Sequence, residues 1–514
     1  MHPTFRAAVL ATLACTVPAA SRAADVTQAQ AQTLEDQLRA YFSTMVGPDV
    51  PVERSPIRVI PEGDHFSLSL PLGGNTGSGP TAPALLGDAR AIDGGRWALD
   101  HLHITSPATF TTTMKVPDSQ GTPGAPKPGA AKPGTAAKPG TAKAGTTTTV
   151  PVTYTVTYAE QDGTGTWDPS YATPSVINSN SRGFRLEASG PAVQQTTTLD
   201  QSAGTITLRP TGGDQVDLVM DVTGTGYALI NKSTDAPEVD AQAQKVRVTG
   251  EVTGMSRDHA SALIPPLIRI GKLQQTGQPV VAKSGPDKVA IDALIQAMQG
   301  LASAMTLTET IDALQVHAGS FNGSFAQVRV GVDAKADAGF LTGHMDLAMD
   351  GLALAGMPLG PMQDLLPQRI ALRPVVSHAS TKDLLQMLQT RMENPKGSLT
   401  QAEIDALFSH GSLKAGLESF AFDVGGASFT GTADIDVASP QQASGAGQVT
   451  ATGWDVLFTK IQGTPELAQG IPLMLLAKGI AKTAGDRLVW DITYRDNKLL
   501  VNGTDLSEMA GAGR

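Results

Sequence analysis

Short runs of alternating apolar and polar residues dominate this chain, and the period of two predicts half-buried strands. The clearest is VPVTYTVTY at 150–158. Similar runs lie at 57–60, 66–70, 101–116, 184–187, 205–209, 217–222 and 245–252. The second half continues with 314–316, 326–334, 344–349, 417–424, 428–437 and 448–452. A closing hairpin is expected from 488–494 and 498–501 around Arg495-Asp496-Asn497. Helical spacing interrupts this pattern. Leu34, Leu38, Tyr41, Phe42 and Met45 share one face of a helix over 27–45, which Gly47-Pro48 stops. Residues 258–305 read as helical, broken by Pro265-Pro266, with a stripe of Ile291, Leu294, Ile295, Met298, Leu301 and Met305. Ser380 heads one further helix, and Thr400 with Glu403 forms a capping box for the next. Thr464-Pro465-Glu466 opens the last, to about residue 483.

The expected fold class is therefore α+β: mainly antiparallel β-sheet with packed amphipathic helices. Strand pairs end at Gly254-Met255, Gly351-Leu352 and Gly453-Trp454 before a helix follows. This suggests a repeated β-meander plus helix unit. The pattern divides the chain into a signal peptide (1–23), an N-terminal β-rich domain (24–255), a helical segment (256–306), a C-terminal α+β domain (307–506) and a tail (507–514). Within the first domain, residues 117–149 repeat Ala-Lys-Pro-Gly units. Proline removes backbone donors and glycine adds chain entropy, so a disordered Lys/Pro/Gly/Thr insertion at the tip of a hairpin is expected.

The start of the chain changes the picture most. A basic residue, Arg6, precedes the apolar run 7–20, and Ser21-Arg22-Ala23 offers small residues to a signal peptidase. The run is too short to span a bilayer, which takes about 20 residues. Cys15, the single cysteine, lies inside this signal. Cleavage would leave a chain without a disulfide or a cysteine-bound metal, so packing alone must stabilise it. The 38 basic residues less Arg6 and Arg22 leave 36 against 48 acidic, a charge of −12. That balance argues against nucleic acid as a partner. Aromatics are only 4% of residues, so aliphatic side chains must build the core. No transmembrane segment is expected after signal cleavage.

Catalytic signatures are scarce. Gly426-Ala427-Ser428-Phe429-Thr430 lacks the second glycine of a nucleophile elbow. Ala481-Lys482-Thr483 lacks the glycine of a phosphate loop. No cofactor is implied. His101 and His103 flank Leu102 on one strand face, and His65 lies on an earlier strand, a set that could hold zinc and support a metal-dependent hydrolase. The same alternation describes a half-buried strand with polar residues outward. Asp434 and Asp436 flank Ile435 in the manner of a solvated strand face. Amphipathic helices beside alternating strands can enclose an apolar groove, with Leu294, Ile295, Met298 and Leu301 as its candidate lining.

Three features together resemble the YdgA-like group of bacterial envelope proteins of unknown function: LEDQLRAYF leading into IRVIPEGDHFSLSL, glycine-ended strands feeding helices, and a closing DRLVWDITYRDNKLLVNGTDL. The resemblance implies an envelope location and transfers no catalytic residue. Three readings stand at this point: a non-catalytic periplasmic or secreted protein that binds a lipid-like molecule or envelope partner, the hydrolase, and a structural envelope-assembly factor.

Overall fold

A computed structural model describes residues 26–46, 57–71, 84–117, 147–170, 173–191, 193–233, 238–275, 285–357, 359–393, 411–439, 442–496 and 498–507, with short pieces between 400 and 409. The expected signal peptide, most of the 117–149 insertion and most of the tail lie outside these residues.

The alternating runs become one antiparallel sheet, a meander over most of its length. Helix α1 (Gln28–Val46) precedes β1 (Arg58–Glu62), β2 (His65–Pro71), β3 (Ala84–Ala91), β4 (Trp97–Ile104), β5 (Ala108–Pro117), β6 (Thr147–Thr157) and β7 (Glu160–Asp168). Long strands follow: β8 (Thr173–Gly190), β9 (Val193–Gly212), β10 (Gln215–Ser233) and β11 (Val239–Ser256). Helices α2 (Arg257–Gln275) and α3 (Pro286–Met298) then lead to β12 (Ala304–Ala318), β13 (Phe321–Asp337), β14 (Phe340–Asp350), β15 (Ala353–Leu354) and β16 (Pro367–Ser380). Helix α4 (Thr381–Glu393) comes before β17 (Leu413–Val424), β18 (Ala427–Ser439) and β19 (Gln442–Thr452). The chain closes with α5 (Trp454–Gln462), α6 (Ile471–Ile480), β20 (Lys482–Ala484), β21 (Arg487–Arg495), β22 (Lys498–Val501) and β23 (Thr504–Asp505). The order departs from a meander where β4 pairs with β7 and the β5–β6 hairpin joins at β8.

The helical segment does not interrupt the sheet, because β11 pairs directly with β12 from Val239↔Ala318 to Thr253↔Ala304. Strands β5 and β6 pair up to Pro117↔Thr147, so the low-complexity segment leaves from the end of that hairpin. Two expectations need correction. The apolar stripe expected to run helically to Met305 ends at Met298, since Gly300 turns left-handed (φ 69) and Met305 belongs to β12. The span 464–483 is not one helix: a 3₁₀ turn over Pro465–Gly470 precedes α6.

A crease crosses the long strands. Gly183, Asp200, Gly226, Gln244, Ala313, Ala326 and Gly351 lie at one level of the ladder. In every second strand the residue of this row is left-handed: Gly183 (φ 61), Gly226 (φ 64), Ala313 (φ 51) and Gly351 (φ 65). Such a residue turns the strand and shifts the phase of its side-chain alternation. Above the crease, one face of β10 carries Val216, Leu218, Met220 and Val222; below it that side carries Tyr227 and Leu229. Both sets face one side: a Cβ placed on Gly224 would come within 2.9 Å of Leu199 Cδ2, and Leu199 lies below the crease. At β8 the limbs part, the upper half pairing with β7 and the lower half with β6.

Three apolar clusters anchor the ensemble. Ala31, Leu34 and Leu38 of α1 pack with Val59, Phe66, Leu68, Trp97 and Trp167, all buried. Phe66 and Trp97 meet edge to face at 5.6 Å, and Trp97 Nε1 donates to Gln37 Oε1. Ile270, Ile291, Leu294, Ile295 and Leu385 join α2, α3 and α4. Ala451, Leu488, Trp490 and Val501 form the last cluster, against Trp454, Ala477 and Ile480 of the closing helices.

Candidate functional site

Register sorts the upper limb into two chemically opposite faces. Strand by strand, one face carries Val216, Leu218, Met220 and Val222; Val246, Val248 and Val252; Met305, Leu307 and Ile311; Val328, Val330 and Val332; Met345, Leu347 and Met349; and Ile370 and Leu372. Phe420, Phe422, Phe429 and Ile435 continue it across β17 and β18. Glycine contacts confirm this sorting, because a Cβ on Gly250 would meet both Met220 and Leu307. The lower limb extends the same side through Phe184, Leu186 and Ala188, which are buried.

The opposite face is laced with ion pairs. Arg247 Nη2 meets Asp221 Oδ2 at 2.7 Å, and this partner holds the Asp221 carboxyl below its usual range. Arg373 reaches Glu418 at 2.8 Å and Asp333 at 3.2 Å, with His344 Nδ1 3.3 Å from Glu418. These pairs are solvent-accessible and stabilise the sheet only modestly. A recess of about 520 Å³ opens among Lys414, Asp434, Asp436, Ser444 and Arg495 on this charged side. Both aspartates remain exposed there.

The apolar face is not fully covered. Met305 (43% exposed), Val330 (43%), Val332 (37%), Met345 (44%) and Met349 (37%) stand partly in solvent in the middle strands. A contiguous exposed patch of this kind marks an interaction surface in soluble proteins. Helix α6 adds Leu473, Leu475 and Leu476, all exposed, at the C-terminal end. Among the described residues no helix is long and apolar enough to cross a membrane.

One charge interrupts the apolar side. Glu309 sits on β12 with Val248 opposite it on β11 and Val330 on β13. Desolvation pushes its carboxyl above the usual carboxylate range. Burial first, and then the Glu309 charge, raises the phenol of Tyr227 in the lower limb.

The residues singled out by sequence fall elsewhere. Leu294 and Ile295 are buried between helices, Met298 packs partly buried against them, and Leu301 lies past the end of α3, its carbonyl accepting from Ser256 N–H. They join helix to helix, while the open apolar surface lies on strands. The strand alternation carries that signal. Valines and methionines occupy one parity of β11 to β14, and Arg, Lys and Asp the other. His101 is left-handed (φ 53), which breaks the alternation expected to pair it with His103. Its Nδ1 lies 3.4 Å from Asp162, and His103 Nδ1–H donates to the His101 carbonyl. His65 faces Asp64 at 3.1 Å and Asp88 at 3.9 Å. Among the described residues no three His, Cys, Asp or Glu side chains form a metal-holding group.

No family model, no curated protein and no solved structure matches the chain.

Proposed function

We propose that this is a non-catalytic protein of the bacterial envelope, periplasmic or secreted, that holds a lipid-like molecule on the apolar side of its creased sheet. The two limbs are the walls of a groove, and acyl chains lie along the valine and methionine rows. The observation that carries this reading is the uncovered stretch Met305, Val330, Val332, Met345 and Met349. Keeping such a surface in water forgoes burial worth about 25 cal/mol per Å² of apolar area. A bound chain would recover it. The export pattern at 1–23 and the YdgA-like features support the envelope location. The left-handed Gly254 and Gly453 (φ 60 and 68) each precede a helix and support reading the chain as repeated β-meander plus helix units, whereas Gly351 leads into β15 and a 3₁₀ turn instead of a helix.

Native mass spectrometry of the full-length protein purified from a bacterial periplasm tests the reading. Co-purifying phospholipid or fatty acid, removed by organic extraction, is the expected result. A ligand-free mass, together with no uptake of fatty acid or phospholipid added in vitro, would overturn it.

A further inference from the structure

Glu309 is the single charged residue among the apolar rows of the upper limb, and its position is central. Leu307 and Ile311 flank it along β12, and Val248 and Val330 face it across the ladder. Among the described residues its carboxyl receives neither a hydrogen bond nor an ion pair. Carboxylates elsewhere on the sheet are placed differently. Asp221, Asp346, Asp333 and Glu418 all point to the charged side and all have arginine partners. A half-desolvated carboxylate without a partner is costly unless something supplies the missing counter-charge. Tyr227, the first residue of β10 below the crease and opposite the buried Ala243, lies on the same apolar side and offers a ring face and a hydroxyl.

We propose that Glu309 and Tyr227 together are the headgroup anchor of the groove, and that the ligand is an apolar-chain amphiphile bearing a primary ammonium group. This rests on the reading of the apolar side as a lipid groove. The ammonium donates to the Glu309 carboxylate, and in a half-desolvated site that ion pair is stronger than in water. Tyr227 supplies a cation–π face or accepts one further ammonium hydrogen. The rows of Val328, Val332, Met345 and Leu347 receive the chain. An equally long fatty acid fits the same rows, but its carboxylate meets Glu309 as a like charge. Charge complementarity therefore selects the headgroup, and the aliphatic rows select the chain.

The test is calorimetric titration of the full-length protein with dodecylammonium and with dodecanoate, each below its micelle concentration at pH 7. The overall acidity of the chain favours any cation, so the readout is the change in preference on substitution. Glu309→Gln should lower the ammonium-to-carboxylate affinity ratio by about tenfold, the size expected for losing one half-buried ion pair. Glu309→Leu should do the same. Asp434→Asn removes a charge from the opposite face and should leave the ratio unchanged. If both amphiphiles bind and the ratio is the same in wild type and both Glu309 variants, the anchor is refuted while the groove stands. The anchor is refuted likewise if the Glu309 variants only self-associate more and keep the ratio, since the carboxylate then guards the face against aggregation. If neither amphiphile binds wild type, both the anchor and the groove fall.

Discussion

Glu309 makes a thermodynamic statement at the scale of one residue. Its carboxyl titrates above the unfolded reference because burial disfavours the charged form. Below the reference range both states are protonated and no penalty arises. As pH rises through the folded-state value, the native protein must carry a desolvated charge, and stability falls. Glu309→Gln lacks that loss. Its melting temperature should exceed that of wild type by about 1–3 °C at pH 7, with the gap closing near pH 4, in differential scanning calorimetry. A gap that widens toward acid would contradict the desolvated site. Asn502 is the counter-example, a polar residue satisfied on every side. Its Nδ2 donates to the carbonyls of Ile480 and Val489, its Oδ1 accepts from Asp491 N–H, and its backbone is left-handed (φ 49). Asn502→Ala should cost about 2–3 kcal/mol in urea unfolding, through two orphaned carbonyls, one orphaned N–H and the lost tolerance for that φ.

The crease is the decisive element. Gly226 is left-handed, and a side chain there would collide with the Asp200 carboxylate. Gly226→Ala should therefore destabilise by at least about 1–2 kcal/mol, the usual cost of a left-handed L residue, before the collision is counted. Chemical denaturation would measure it, and an unchanged midpoint would mean that the crease is not constrained at β10. Most strands are legible in the sequence, but their lengths are not. The runs 184–187 and 205–209 are only the most alternating parts of β8 and β9. Thr, Gln and Ser populate both faces of the remainder and mute the period. Strand β16 is hidden from a sequence reading because Pro374 interrupts ALRPVV, and the ladder takes up the proline with a register shift between Arg373 and Pro374. The closing hairpin is fully legible, with Arg495↔Lys498 at its turn, because charge and turn residues punctuate it sharply.

Across the whole molecule, the two faces of one sheet have opposite tasks. The charged face carries the arginine–carboxylate pairs, and the apolar face remains partly uncovered. Lysine at Met345, directly opposite Val332 and already 44% exposed, should leave stability within about 0.5 kcal/mol of wild type. The same Met345→Lys variant should lose most of its uptake of an uncharged acyl-chain probe, followed by fluorescence displacement. Stability and binding that fell together would identify the face as ordinary core, and unchanged binding would place the ligand elsewhere. Neither outcome depends on Glu309, so the wall and the anchor of the groove can be separated.

By itself the sequence determined that this chain is β-rich, that its strands are amphipathic, and that a hairpin closes it. Those properties are local: alternation of period two and turn chemistry act over a few neighbouring residues. It also pointed to the helical stripe at Leu294 and Ile295 as a groove lining, since any amphipathic helix carries the same local signal whether its apolar face meets a ligand or another helix. Only the tertiary structure decided that these residues close a helix cluster. It alone aligned Gly183, Gly226, Ala313 and Gly351 into one crease, because that alignment depends on register between strands far apart in the chain. And it alone left Met345 and Val332 uncovered with Glu309 among the valines, because which face of a sheet receives a second layer is settled by packing between distant elements.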